Sequence, residues 1–117
     1  MKHLTAVALA LSLIQPDIAI AEVVLINAFE VPNDQREAVI ATWEDARDFL
    51  STQPGYIDTA LHSAVTPDAR FELVNIARWE SPEAFMAATQ AMRASGVFVP
   101  PQGTVANPAL YTIIRAD

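Results

Sequence analysis

Two residue types that seldom share an oily strand face stand four apart in the stretch 71–79: the carboxamide of Asn75 and the indole of Trp79. In an extended chain Phe71, Leu73, Asn75, Ala77 and Trp79 point to one side. A buried amide without a partner costs a few kcal/mol, so Asn75 answers either to a group of the protein or to a bound molecule. An amide N–H can donate to a phenolate oxygen, and an indole can wall a flat aromatic ring. By strand rise the two backbones lie about 13 Å apart, which suits opposite ends of a bicyclic or larger molecule. Asn27 repeats the pattern among Val23, Leu25 and Phe29. It becomes a second donor if the two strands are neighbours. The plainer readings stay open: Trp79 as core at a strand end, and Asn75 satisfying a loop or bulge.

His62 is the one histidine downstream of the first three residues and so the natural proton acceptor near neutral pH. Its parity neighbours are Ala60 and Ala64, so a structural or interface role competes with a catalytic one. Tyr56, Tyr111 and Arg115 are weaker candidates. Leu73, on the Asn75 face, and Phe85, beyond Trp79, join Asn27 as expected substrate contacts.

The elements that position these residues can be read in order. Residues 22–31 are rich in β-branched and aliphatic side chains, a strand that Pro32 ends. Asp34 and Glu37 have the spacing of a capping box, and Val39, Trp43, Ala46 and Leu50 recur at helical spacing until Gln53-Pro54-Gly55. A second strand spans 56–65, with Ile57, Thr59, Leu61, Ser63 and Val65 on one face and Tyr56, Ala60, His62 and Ala64 on the other. Thr66-Pro67-Asp68-Ala69 is a turn into the third strand, 71–79. Ser81 caps a second helix, with Pro82 at its first position and a stop at Ser95-Gly96. Residues 97–108, with three prolines and a glycine, read as a loop, and 110–115 as the last strand.

Strand, helix, strand, strand, helix, strand with right-handed crossovers gives a split βαβ arrangement. The predicted fold is α+β and ferredoxin-like (βαββαβ): a four-stranded antiparallel sheet with two helices on one face. The other face carries an apolar set that two helices cannot cover, and a homodimer through facing sheets is expected to cover it.

Composition narrows the function. The 117 residues contain no cysteine, which excludes disulfides, thiolate metal sites and cysteine nucleophiles. A net charge of −7 argues against nucleic acid. Met1-Lys2-His3 is a short basic start, residues 4–14 are nearly all apolar, and Ala19-Ile20-Ala21 offers small residues at a cleavage site. That is the pattern of a signal peptide over 1–21, too short to span a bilayer. The mature domain is then 22–117, periplasmic or secreted, with no stable membrane insertion after cleavage.

Glu22 to Asn27, the Gln53-Pro54-Gly55-Tyr56 turn, Leu61-His62, Val74 to Phe85 and Pro108-Ala109-Leu110-Tyr111 together resemble the antibiotic biosynthesis monooxygenase (ABM) domain family. The resemblance covers the mature chain and implies a dimeric α/β barrel with a pocket between sheet and helices. Members of that family include oxygenases that turn phenols or hydroquinones into quinones with dioxygen and neither metal nor flavin, while others degrade haem, act as isomerases or have no assigned activity. The leading expectation here is an oxygenase acting on a small aromatic, phenol or quinol with no cofactor. For such chemistry the protein favours the electron-rich, deprotonated substrate and keeps water out. Asn75, Trp79 and His62 are the expected catalytic residues. The haem-degrading branch of the resemblance places an iron-ligating histidine on the second helix, and residues 86–93 contain none. Many relatives place a histidine where this chain has Asn107. The rival reading is a non-catalytic module holding a hydrophobic small molecule in the same pocket; a third is a structural dimer with a filled core.

Overall fold

A computed structural model describes residues 21–117. The expected leader therefore lies, but for Ala21, outside the described residues. The chain runs β1 (Val23–Glu30), α1 (Arg36–Leu50), β2 (Tyr56–Ser63), β3 (Leu73–Trp79), α2 (Pro82–Ser95) and β4 (Val105–Tyr111). The strands form one sheet in the order β2-β3-β1-β4, antiparallel at every pairing. This is the ferredoxin-like α+β fold that the element order predicts. Both helices pack on the sheet face that carries Val23, Leu25, Ala77 and Trp79.

The central pair β1 and β3 sets the register on which the site depends. Val23 lies opposite Trp79, Leu25 opposite Ala77, Asn27 opposite Asn75, and Phe29 opposite Leu73. Three of these four rows are apolar and buried. They seed two core clusters: Val23, Leu25, Ala77 and Trp79 with Ala88 of α2, and Phe29 and Leu73 with Val39 of α1. The amide row lies between them. Burial of the apolar rows at about 25 cal/mol per Å² drives the assembly, and the polar row interrupts it.

Helix α2 forms as its sequence dictates. The Ser81 hydroxyl accepts the Ala84 N–H at 3.1 Å, Pro82 occupies the first turn, and Gly96 closes the helix in the left-handed conformation. Helix α1 departs from expectation. The Asp34–Glu37 capping box does not form, because Asp34 itself is left-handed at φ 64° and Gln35 becomes the cap without a side-chain bond.

The strand boundaries also shift. β2 ends at Ser63 and β3 begins at Leu73, where Ala64 N–H donates to the Glu72 carbonyl at 2.9 Å. The last strand is Val105–Tyr111, not 110–115, and the loop before it correspondingly shorter. Pro108 hides the strand in the sequence. It is tolerated because β4 is an edge strand, and because Asn107 repairs the ladder. Its backbone N–H donates to Asn27 Oδ1 at 3.0 Å, and its Nδ2 donates to the Ala28 carbonyl at 2.9 Å.

The opposite sheet face, with Val24, Ile26, Val74 and Ile76, has no helix of the described residues over it. Ile76 is 36% and Tyr111 51% exposed.

Candidate functional site

Between the two core clusters, over the amide row, a cavity of about 580 Å³ opens under the helices. That volume is within the range of small-molecule sites. Small residues make the room: Ala77 on the floor, Ala46 on α1 and Ala106 on β4. The walls come from every element. β1 gives Leu25, Asn27 and Phe29, and β3 gives Asn75, Ala77 and Trp79. Trp43, Ala46, Arg47 and Leu50 face it from α1, and Phe85, Thr89, Met92 and Arg93 from α2. The spacing of the last four is the helical period, so one face of α2 lines the cavity.

Asn75 is 8% exposed, the only buried polar residue among those described. Thr59 sits on β2 opposite Ala77, one step along from Asn75, and its hydroxyl donates to Asn75 Oδ1 at 2.7 Å. The acceptor of the amide is thereby committed to the protein. Its Nδ2 makes no hydrogen bond among the described residues. Nor is it among the sealed, unpartnered polar atoms, of which Thr104 Oγ1 is the one case there. Asn75 lines the cavity, so this nitrogen is the donor the residue has left for a ligand there. Asn27 is held in the same way: Oδ1 takes the Asn107 N–H. As a directly opposed strand pair, the two amides lie about 5 Å apart at Cβ.

Trp79 is 1% exposed and is fixed from two sides. The Tyr56 ring meets it edge-on at 5.5 Å and 83°, and the Phe85 ring at 5.7 Å and 73°. Such pairs hold ring orientation as well as burying area. The indole Nε1, like the amide Nδ2, has no partner among the described residues and is not sealed away.

Tyr56 reaches the cavity through a bulge. The β2–β3 register slips between Tyr56 and Asp58, so Tyr56 sits opposite Trp79 and Asp58 opposite Arg78. The extra residue turns Tyr56 onto the Thr59 face, where alternation alone puts it on the other. Burial pushes its phenol above the ordinary value, and the Asp58 charge adds to this against the opposing pull of Arg47. Tyr56 is thus a neutral hydroxyl at physiological pH, able to donate.

The other sequence-selected residues divide. Asn27, Asn75, Trp79 and Phe85 share the cavity. Leu73 does not line it; the residue is buried in the cluster with Phe29 and Val39. His62 lies on the opposite, helix-free face, paired with Val74, where Nδ1 is 3.2 Å from the Val74 carbonyl oxygen. Strand parity separates it from Asn75, so a proton-accepting role in this cavity has no geometric basis. Tyr111 and Arg115 are exposed and outside the lining. Thr59, Arg47 and Arg93 are lining residues that the sequence reading did not select. The β2–β3 register was needed to bring Thr59 to Asn75, and Arg93 was readable from its eight-residue spacing to Phe85.

The comparisons with known proteins bear on family and fold. The sequence profile described as Antibiotic biosynthesis monooxygenase matches residues 22–94. A crystal structure from Shewanella loihica PV-4, provisionally assigned as a monooxygenase, is 45% identical. It superposes with a TM-score of 0.76 over 82% of this chain and 97% of its own. SnoaB from Streptomyces nogalater, a cofactor-independent oxygenase, shares the fold at 23% identity, with a TM-score of 0.63 over 82% and 96% of the two chains. A variant of MhuD, crystallised with two manganese protoporphyrin IX molecules per active site, is 26% identical, with a TM-score of 0.64 over 81% and 97%. Among curated proteins, none matches. The profile match and the 45% identity over nearly all of a relative's length establish that the chain belongs to the antibiotic biosynthesis monooxygenase family.

Proposed function

We propose that the protein oxidises a small aromatic phenol or hydroquinone with dioxygen, without metal or organic cofactor. The observation that carries this reading is the Asn75 amide. Its acceptor is spent on Thr59, its donor is free, and it stands in an oily hollow that Trp79 also lines. A donor fixed before the substrate arrives stabilises negative charge on a phenolate oxygen at no cost in reorganisation. The phenolate ring is then electron-rich enough to reduce dioxygen. For a phenol with a free para position the balance is one phenol and one dioxygen to one para-quinone and one water. One oxygen atom enters the ring, the other leaves as water, and the substrate supplies all four electrons. For a hydroquinone the balance is one hydroquinone and one dioxygen to one quinone and one hydrogen peroxide, two electrons and two protons passing to dioxygen. Asn75 holds the oxygen, Asn27 is a second donor, and Trp79 with Phe85 walls the ring and excludes water.

The test is oxygen uptake and quinone formation with 1,4-dihydroxynaphthalene and 1-naphthol, corrected for spontaneous oxidation. Wild-type rates equal to background with both compounds end the proposal. The second reading, a module that binds an aromatic without turnover, is favoured by one feature: among the described residues no aspartate, glutamate or histidine lines the cavity to take a proton. Ligand-induced rises in Tm without oxygen uptake support it. A haem role is not favoured, since among the described residues no histidine lines the cavity or lies on α2.

The helix-free sheet face and its exposed Ile76 support a homodimer through that face, checked by light scattering of Ile76→Glu against wild type. The basic-apolar-small leader pattern supports export with cleavage after Ala21. Amino-terminal sequencing of the exported protein is expected to start at Glu22.

A further inference from the structure

The amide and guanidinium side chains around the cavity offer it donors. Both amide oxygens are already occupied, by the Thr59 hydroxyl and the Asn107 N–H. The chain carries 14 aspartates and glutamates, yet none of those among the described residues lines the cavity, while two arginines do. The wall is therefore cationic within a protein of net charge −7.

The two arginines differ. Arg47 is committed: its guanidinium meets Asp48 at 3.1 Å and lies over the Trp43 ring at 5.2 Å. Arg36, Arg70 and Arg78 are likewise paired with carboxylates. Arg93 has no ion pair among the described residues, and Arg115, which also has none, does not line the cavity. Arg93 lies on the cavity-facing side of α2, eight residues and about 12 Å of helix rise beyond Phe85. Phe85 touches Trp79, so Arg93 approaches from the end remote from the indole.

We propose that Arg93 is an anion-recognition residue of this cavity and that the aromatic ligand carries a carboxylate which docks on its guanidinium. The ring then extends toward Trp79, and a ring oxygen meets Asn75. The ring placement rests on the reading above; the charge recognition does not depend on turnover. A guanidinium takes a carboxylate through paired, charge-assisted hydrogen bonds, which are the strong ones.

The test is anaerobic binding by calorimetry near neutral pH with a matched pair of probes, 1-hydroxy-2-naphthoate and 1-naphthol. Wild type is expected to hold the carboxylate probe about tenfold or more tighter, with the advantage shrinking as salt rises. Arg93→Gln is expected to lose that preference while binding 1-naphthol as before, and Arg115→Gln, outside the lining, to keep it. Arg93 is exposed, so the variant is expected to melt with wild type. Equal affinities of wild type for both probes, a preference that survives Arg93→Gln, or no binding of either probe overturns the proposal. Oxygen uptake is measured separately. Preference without turnover leaves Arg93 in place and removes the oxygenase reading; turnover of 1-naphthol without preference does the reverse.

Discussion

Replacing Asn75 by leucine removes the carboxamide at nearly constant volume and isolates its part in the chemistry. A hydrogen bond to a charged partner is worth about 1.5–3 kcal/mol. If Nδ2 donates to a bound phenolate, its loss raises the pKa of the bound phenol by about 1–2 units, at 1.36 kcal/mol per unit. Loss of one fixed donor to a developing oxyanion lowers kcat by about 10²–10³. The fold should tolerate the change. Asn75 is 8% exposed and gives up one bond, that from Thr59 at 2.7 Å. A cost of about 1 kcal/mol is expected, partly offset by the buried aliphatic. In a domain of this size that lowers Tm by about 4–8 °C. Ultraviolet titration of bound 1-naphthol gives the pKa, and oxygen uptake gives kcat. A bound pKa unchanged within about 0.3 unit in a folded Asn75→Leu protein refutes the idea that this amide stabilises the anion. A rate within about threefold of wild type refutes its role in turnover.

Further outcomes follow from single contacts. Ser81→Ala is expected to cost about 1 kcal/mol by removing the hydroxyl that accepts the Ala84 N–H, read by urea unfolding. Gly55→Ala should cost about 2 kcal/mol or more. Gly55 has φ 88°, and a Cβ there collides with the Ala84 side chain; a loss under about 0.5 kcal/mol contradicts that packing. Tyr56→Phe should leave the pH–rate profile between about pH 6 and 9 unaltered, because burial already holds that phenol protonated beyond its ordinary value near 10. Asp58 is held below the usual carboxylate range by its hydrogen bonds to Arg78. Its contribution to stability is present above the unfolded value near 4 and fades as pH falls through the lower folded value. Asp58→Asn should therefore flatten the acid limb of a Tm–pH curve, and an identical limb removes that ion pair from the account.

The sequence carried the sheet and α2 well, because each signal there was local. The alternation from Leu73 to Trp79 and the Ser81-Pro82 start need no distant partner to be read. The features it hid are those that depend on pairing. Pro108 reads as a loop until β4 is known to be an edge with Asn107 repairing its ladder. Tyr56 reads as facing away until the bulge at Ile57 is seen. Thr59 looks like one threonine among several until register brings it to Asn75. Asp34 and Glu37 have the letters of a capping box, but the left-handed turn at Asp34 removes the geometry it requires. His62 was selected for chemistry alone, and strand parity decides against it.

The lining also constrains the substrate. With donors on the wall and, among the described residues, no carboxylate or imidazole to take a proton, the cavity can lower a phenol's pKa but offers no side chain there of suitable basicity to remove the proton. The proton must leave through water or dioxygen chemistry, and turnover then depends on how acidic the phenol already is. Across substituted naphthols of similar size, the proposed oxygenase predicts rates that fall steeply as phenol pKa rises above ambient pH. A binding module makes no such demand: its affinity follows the apolar area buried against Trp79, Phe85 and Leu25, about 25 cal/mol per Å², whatever the acidity. A series in which affinity tracks area and oxygen uptake tracks acidity separates recognition from catalysis in this cavity. Rates that ignore acidity would mean that another group, outside this lining, takes the proton.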